Sequence, residues 1–306
     1  MFLSICLNPT LQKTLRFPLL ALGEVNRTAS HRLDASGKGI NVTRVLTQLG
    51  KEAIHLTHLG GVMRPLILSL CEQDGLNVEW VESDSQIRFC YTVINKNDES
   101  VTELVEESQP VTAGTEERLM EKFNEIITRF DAHNTIIISG TKAAGYSDAA
   151  IPAMVQKAKE KGLCIILDIK GKDLIESLKY EPDIIKPNLD EFKQTFGLDA
   201  DNFDLHGIVL ELAHKHKCRI VLTNGSREII AADSNEIYKF DVAAHDTSAI
   251  QNTTGCGDAF TAGLAAALNN KIYIGKEDFN AAVNEGIRCG ALNAAFERPG
   301  VISCDK

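Results

Sequence analysis

Asn252-Thr-Thr-Gly-Cys-Gly-Asp-Ala-Phe-Thr-Ala-Gly263 runs straight into Leu264-Ala-Ala-Ala-Leu268, an alanine- and leucine-rich stretch of high helix propensity. Gly255 and Gly257 flank Cys256 just before the helix that Asp258 would open. Backbone N–H groups there should point outward at the positive end of the helix dipole, which makes an anion site. Asp258 in the first turn sets a carboxylate beside that site, and the dipole should favour its ionised, proton-accepting form. An anion cradle next to a base suits phosphoryl transfer, where developing negative charge needs fixed donors and the attacking hydroxyl must lose a proton. The same residues also fit an ordinary loop with an acidic N-cap.

Outward from this stretch, strand-like apolar runs alternate with helical segments, without repeats or low-complexity linkers. That pattern predicts one α/β unit over residues 1–306, a doubly wound, mostly parallel sheet with helices on both faces. Buried-strand runs end at Ser139-Gly140, at Asp168, at Lys186-Pro187-Asn188 and at Thr223-Asn224-Gly225-Ser226. In a parallel sheet with right-handed crossovers those ends share one edge, where ligands collect. Two stretches break the pattern. Leu15 to Asp34 and Ile87 to Val105 alternate polar and apolar residues, the second with a turn at Asn95 to Glu99. They predict a small β-layer standing off the main sheet, over about residues 12–34 and 87–106, or else edge hairpins of the main sheet.

The chain of 306 residues is long enough to bury a full core, and its formal charge of −10 argues against broad nucleic-acid or anionic-membrane binding. Met1 to Leu7 is apolar but carries no basic leader and meets Asn8-Pro9 at once, so a first strand is expected there. No window reaches membrane-spanning length. The eight cysteines are scattered, with no Cys-x-x-Cys, which favours reduced thiols in a cytoplasmic protein. Cys256 stands apart, because a thiol at a helix N-terminus can have a lowered pKa; as a small residue it also simply fits.

Two further junctions carry chemistry. In Ala35-Ser-Gly-Lys-Gly-Ile-Asn41, Gly37 and Gly39 permit close backbone approach, helical apolar spacing begins at Ile40, and Gly50 is placed as the C-terminal cap. Lys38 and Asn41 are thus offered at a helix start, although a lysine in such a turn is commonly just solvated. In Asp183-Ile-Ile-Lys-Pro-Asn188, Glu191 follows Asn188 by three residues. That is the spacing of a capping box. It also puts Asn188 and Glu191 on one face of a first turn, able to hold a hydrated Mg²⁺ against nucleotide phosphates.

Thr-Gly-Cys-Gly-Asp-Ala-Phe-Thr-Ala-Gly-Leu resembles the C-terminal signature of the ribokinase-like (PfkB) carbohydrate kinases, and Gly37-Lys-Gly-Ile-Asn-Val-Thr-Arg-Val-Leu46 resembles their N-terminal signature. Lys186-Pro-Asn-Leu-Asp-Glu191 and Thr223-Asn-Gly-Ser226 are similar to the family's metal and nucleotide motifs. Gly23-Glu-Val-Asn-Arg27 resembles the branch acting on hexose phosphates such as fructose 1-phosphate and tagatose 6-phosphate. The resemblance covers nearly the whole chain, with the motifs in the family's order. It implies a sugar-phosphate kinase using ATP and Mg²⁺. Asp258 would be the base and the amides of Gly255, Cys256 and Gly257 the anion hole. Gln12, Gly37, Lys38, Asn41 and Ser139 would contact the sugar, and Arg88 and Arg27 its phosphate. Lys186, Asn188, Glu191, Thr223 and Gly225 would serve the nucleotide and metal. The β-layer would be a lid, paired with a second copy in a homodimer. Arg88 suits a phosphate physically, being permanently charged and able to donate two N–H groups, though it also fits a solvated position on an exposed strand.

The chain departs from the family at four places. Gln12 stands where Asn-Pro-x-x-Asp has its acid, so the sugar preference is expected to differ. Thr141-Lys-Ala-Ala-Gly145 replaces Ser-Leu-Pro-x-Gly, with Lys142 read as a surface lysine in preference to an added phosphate contact; Cys256 replaces Ala or Ser, and Asn224 replaces Leu or a small residue. Two other readings stay open. One is a nucleotide- or sugar-phosphate-binding regulator without turnover, the other a kinase of an unphosphorylated sugar or nucleoside.

Overall fold

The computed structural model describes residues 1–198, 204–242, 250–268, 271 and 273–303. The chain opens with β1 (Phe2–Ile5), β2 (Thr10–Phe17), β3 (His31–Ser36), α1 (Lys38–Gln48), β4 (Ala53–Gly60), α2 (Arg64–Gln73) and β5 (Asn77–Ser83). Next come β6 (Arg88–Asn95), β7 (Ser100–Val105), α3 (Thr115–Thr128), β8 (Thr135–Ser139), α4 (Ala150–Glu160), β9 (Cys164–Asp168) and α5 (Gly171–Leu178). It continues through β10 (Ile184–Ile185), α6 (Leu189–Phe196), α7 (Leu205–His216), β11 (Arg219–Leu222), β12 (Glu228–Ala232), β13 (Ile237–Asp241), α8 (Cys256–Ala267) and α9 (Lys276–Ala294).

Among the described residues one sheet of nine strands runs in the order β13-β12-β11-β10-β9-β8-β1-β4-β5. From β11 to β5 every neighbour is parallel; β12 and β13 add on antiparallel. Strands buried on both faces read as continuous apolar runs. Thus Ile136, Ile137 and Ile138 of β8 alternate between two cores, Ile136 and Ile138 on one face and Ile137 on the other. The first core is closed by side chains of α3, α4, α6 and α7, including Phe123, Met154, Phe192 and Val209. The second is closed by α1, α8 and α9 through Val45, Leu264 and Phe279. Phe123 is fully buried, so trimming it to Ala is expected to cost about 3–5 kcal/mol.

The chain leaves β1 toward β4 and β5, then returns to the other side of β1 at β8 and proceeds outward to β11. That reversal creates a crevice at the carboxyl ends of the strands, where ligands of open α/β sheets bind.

A second sheet, β3-β2-β6-β7, stands apart from the first. The edge-hairpin alternative is therefore excluded for these strands. The first stretch holds the strand pair its alternation suggested, but displaced outward, with β2 and β3 antiparallel on either side of a long loop. β2 starts at Thr10, its polar Thr10-Leu-Gln-Lys-Thr14 start hiding it, and residues 18–30 carry no strand. β2 pairs antiparallel with β3 and parallel with β6, whose other edge takes β7. A small apolar cluster of Leu11, Ala35, Ile40, Leu59, Ile67 and Ile87 fastens this sheet to α1, α2 and the end of β4. No helix among the described residues is long and apolar enough to cross a membrane, and the described cysteines are free thiols.

Candidate active site

A cavity of about 570 Å³ opens between the small sheet and the carboxyl edge of the large one. Thr10, Gln12, Arg88, Cys90, Val101, Glu103 and Val105 line it from the small sheet, and Ser36, Gly37, Lys38 and Asn41 from the start of α1. The ends of β10 and β11 contribute Lys186, Asn188, Glu191 and Thr223; the start of α8 contributes Thr253, Thr254, Gly255, Gly257 and Asp258. Thr254 Oγ1 donates to Glu103 Oε1 at 2.7 Å, a contact between the α8 entry loop and β7.

The α8 turn is built by Gly255, the N-cap residue, at φ +85°. A Cβ there would lie 2.8 Å from Pro299 Cβ and 3.0 Å from Asn293 Oδ1, so both conformation and space call for glycine. Asp258 is therefore not the N-cap. It sits in the first turn without capping the backbone, and its Oδ2 accepts from Asn41 Nδ2 at 2.8 Å. The thiol neighbour behaves differently from its flanking glycines. Cys256 does not line the cavity, and its N–H donates into the local turn, to Thr253 O at 3.2 Å.

The helix dipole does not decide the charge state of Asp258. Burial dominates and pushes its pKa up to about 6, with Asp168 adding to the rise while Lys38, the Asn41 hydrogen bond and Lys186 pull the other way. Such a carboxylate is largely ionised at neutral pH, yet is a stronger base than an ordinary aspartate. Burial likewise pushes the Cys256 thiol up to about 12, aided by Asp258, so the lowered value expected of a helix N-terminus is not found.

Asp168, at the end of β9, is a site group whose only sequence signal was a carboxylate closing an apolar strand. Its Oδ1 lies 3.3 Å from Lys38 Nζ and 3.4 Å from Lys186 Nζ, and its Oδ2 accepts from Thr261 Oγ1 at 3.1 Å. Burial opposes its ionisation, but Lys186 and Lys38, with the hydrogen bonds from Lys38 and Thr261, hold it below the usual carboxylate range. Lys38 also approaches Glu191 Oε1 at 3.5 Å. Burial works against its charge, yet Asp168, Glu191 and Asp258 keep its pKa above that of an ordinary lysine.

Asn188 and Glu191 do form the capping box. Asn188 Oδ1 accepts from Glu191 N at 2.8 Å, and Glu191 Oε2 accepts from Asn188 N at 3.0 Å. The cap and the cavity position coexist, because Glu191 Oε1 is the atom that faces Lys38. α1 begins at Lys38, earlier than its apolar spacing, since Lys38 and Gly39 carry no apolar signal. Gly39 lets it seat against β1: a Cβ there would lie 2.8 Å from both Cys6 Cβ and His55 Cε1. Gln12 Nε2 donates to Thr92 Oγ1 at 2.7 Å, and Arg88 Nη1 to Glu106 O at 3.2 Å.

Besides Cys256, three expected residues lie outside the cavity lining. Arg27 is exposed in the loop after β2 and Gly225 in the turn after β11, and neither lines the cavity. Ser139 is buried at the end of β8, outside the lining. Thr141 to Ala144 also lie outside it; Lys142 is half-buried against Asp173 and Asp148 rather than free on the surface.

A model of the pfkB family of carbohydrate kinases matches residues 3–305. The chain belongs to this family. Among curated relatives, tagatose-6-phosphate kinase of Staphylococcus epidermidis is 26% identical over 310 residues, covering 100% of this chain and 96% of the relative. Among solved structures, phosphofructokinase-2 from Escherichia coli in complex with potassium superposes with a TM-score of 0.85 at 20% identity, covering 99% of this chain and 94% of that one. A possible 1-phosphofructokinase from Thermotoga maritima gives a TM-score of 0.82 at 19% identity, with 97% and 94% covered. The pfkB fold is thus shared along nearly the full length. Its large parallel sheet, flanking helices and smaller sheet are the ribokinase-like arrangement that the two signatures implied.

Proposed function

We propose that this pfkB-family protein transfers the γ-phosphoryl group of ATP to a hydroxyl of a phosphorylated ketohexose, with Asp258 as general base. The observation that carries the reading is the buried Asp258 carboxylate, with Gly255 and Gly257 beside it, on a cavity that also presents Arg88 and Lys186. In the reaction the acceptor hydroxyl gives its proton to Asp258 while its oxygen bonds to the γ-phosphorus. The bond from that phosphorus to the bridging oxygen breaks, and ADP leaves with the electron pair. Amides at the start of α8 would stabilise the transferring phosphoryl, and Arg88 would hold the phosphate already on the sugar.

Asn188 and Glu191 fit a magnesium ion held largely through water: they offer few oxygens, partly committed to the cap, at a cavity wall. When bound, the ion would screen the charge of the nucleotide phosphates. Lys186 and Thr223 would meet the nucleotide. The small sheet would act as a lid that keeps water from the phosphoryl group, with Val101 and Val105 toward the cavity, and the exposed Leu104, which does not line it, suits pairing with a second copy. The relative named a tagatose-6-phosphate kinase supports a phosphorylated ketose as substrate.

The test is ADP release from Mg·ATP across fructose 1-phosphate, fructose 6-phosphate, tagatose 6-phosphate, the free sugars and nucleosides. Turnover on one phosphorylated ketose, reduced about 10²- to 10⁴-fold in Asp258→Asn, is expected. Equal turnover by the variant would remove Asp258 as the base. Turnover confined to a free sugar or nucleoside would remove the substrate class, and ATP binding without turnover on any compound would favour a regulator.

A further inference from the structure

Arg44 lies one turn after Asn41 in α1, 4% exposed and outside the cavity lining. Its Nη1 donates to Asn41 Oδ1 at 2.9 Å and to Pro299 O at 3.0 Å, and its Nη2 to Ala35 O at 2.6 Å. Its Nε donates to Asp74 Oδ2 at 3.0 Å, and Asp74 is also paired with Arg298, which in turn lies 2.8 Å from Asp34 of β3. The guanidinium is thus held on several sides by groups remote from the cavity.

A guanidinium has donors only, so the Asn41 atom facing it must be the carbonyl oxygen. The amide nitrogen is then turned the other way, to Asp258 Oδ2 at 2.8 Å. An ionised carboxylate accepts only. Asn41 sits between a cation that cannot accept and an anion that cannot donate, and one orientation satisfies both ends. The flipped amide would set oxygen against carboxylate and N–H against guanidinium, at a buried position where unmet polar groups are costly.

We propose that Arg44 is a positioning residue for the phosphoryl-transfer reaction: it locks the Asn41 amide so that one Asp258 oxygen stays hydrogen-bonded and the other is left for the acceptor hydroxyl. This deepens the reading of Asp258 as the base and rests on it. The amide keeps a second N–H for substrate. Other charged or titratable groups also face Asp258. Lys38 comes from α1, Lys186 from the end of β10, Asp168 from β9, Cys6 from the end of β1 and Cys256 from its own helix. Arg88, Glu103 and Glu191 share its cavity. Ser36 Oγ also lies 3.3 Å from Asn41 Oδ1, but a hydroxyl, unlike a guanidinium, can turn to accept if the amide flips.

The experiment is a ¹³Cγ NMR titration of aspartate-labelled protein, with the Asp258 signal assigned by its absence in Asp258→Asn. The titration is run alongside pH profiles of kcat/KM with Mg·ATP and fructose 1-phosphate, fructose 6-phosphate and tagatose 6-phosphate. Arg44→Gln and Asn41→Ala should each raise the Asp258 titration by roughly one pH unit, as loss of a hydrogen bond to the charged form requires. The double variant should rise no further than Asn41→Ala alone. Arg298→Gln, which disturbs the same ionic network without touching Asn41, should leave the titration in place. Should Arg44→Gln not fold, Arg44→Lys, which keeps the charge but loses the planar fork, is read in the same cycle.

An unmoved titration in the Arg44 variants overturns the proposal. So does an Arg44 effect that persists in the Asn41→Ala background, or an equal shift in Arg298→Gln. If the titrations behave as expected but Asp258→Asn turns over normally on these sugars, the base reading is what fails, and the positioning role falls with it.

Discussion

Lys186 Nζ and Lys38 Nζ approach the same oxygen of Asp168, at 3.4 Å and 3.3 Å, and Lys186 and Asp168 are almost wholly buried. One carboxylate thus holds two ammonium groups at a cavity wall, and Lys38 is shared with Glu191 at 3.5 Å.

Asp168→Asn should destabilise the protein by on the order of 3 kcal/mol at neutral pH, because it leaves the buried Lys186 ammonium without its anion. The folded-state pKa of Asp168 is depressed, so its stabilisation is present above the unfolded value of about 3.9 and is lost as pH falls through the folded one. Urea unfolding of both proteins should therefore show a gap that is constant above about pH 4 and narrows below it. A gap that does not narrow in acid would mean that the two lysines do not depend on the carboxylate charge.

Asp258 has the opposite sign. Its folded pKa is pushed up to about 6, above the unfolded value of about 3.9, so the ionised group opposes folding. That cost is absent below about pH 4, grows through pH 6 and is full above it. Asp258→Asn, which still accepts from Asn41, should thus stabilise the protein at pH 8 by on the order of 1–3 kcal/mol and change little at pH 4. A melting temperature lowered at pH 8 would show that the carboxylate supports the fold instead of straining it.

The sequence made the large sheet legible because strands such as Ile136 to Ile138 are buried on both faces and read as unbroken apolar runs. The α8 turn was legible because Gly255 is needed for both its positive φ and its crowding against Pro299. Burial was not legible, and burial sets the pKa of Asp258 and Cys256. Nor were partners distant in sequence: Asp168 meets Lys38 across 130 positions, and Asn41 meets Asp258 across 217. In the sequence Arg44 is one more residue of a helical segment; the fold gives its guanidinium four hydrogen bonds. The start of β2 was hidden for a related reason, since buried Thr10, Gln12 and Thr14 look like a solvated face.

Cys256 should resist oxidation. Its thiol is held at about 12 by burial and then by Asp258, so almost no thiolate exists at neutral pH to attack peroxide. Wild type and Cys256→Ala should lose activity at the same rate under mild peroxide, followed by ADP release. Protection by the substitution, reversed by thiol in wild type, would mean that the thiolate is reached in spite of its surroundings.

Arg88 offers the sharpest separation of the two halves of the cavity. It stands at the start of β6, paired in register with Thr10. Its Nη1 is committed to Glu106 O, while its Nε is buried and has no hydrogen bond among the described residues. Arg88 also lines the cavity, where a phosphate dianion on the substrate would accept from a permanently charged donor. Arg88→Ala should raise KM for the phosphorylated ketose about 10- to 100-fold, the range of a hydrogen bond to a charged group, and leave KM for ATP within about threefold. Arg88→Lys should recover only part of the loss, because a point charge replaces a planar fork. The matching measurement is a full KM determination for each substrate at saturating concentration of the other. Equal increases for both would take Arg88 away from the sugar phosphate, since a group that meets only one substrate cannot weaken both alike.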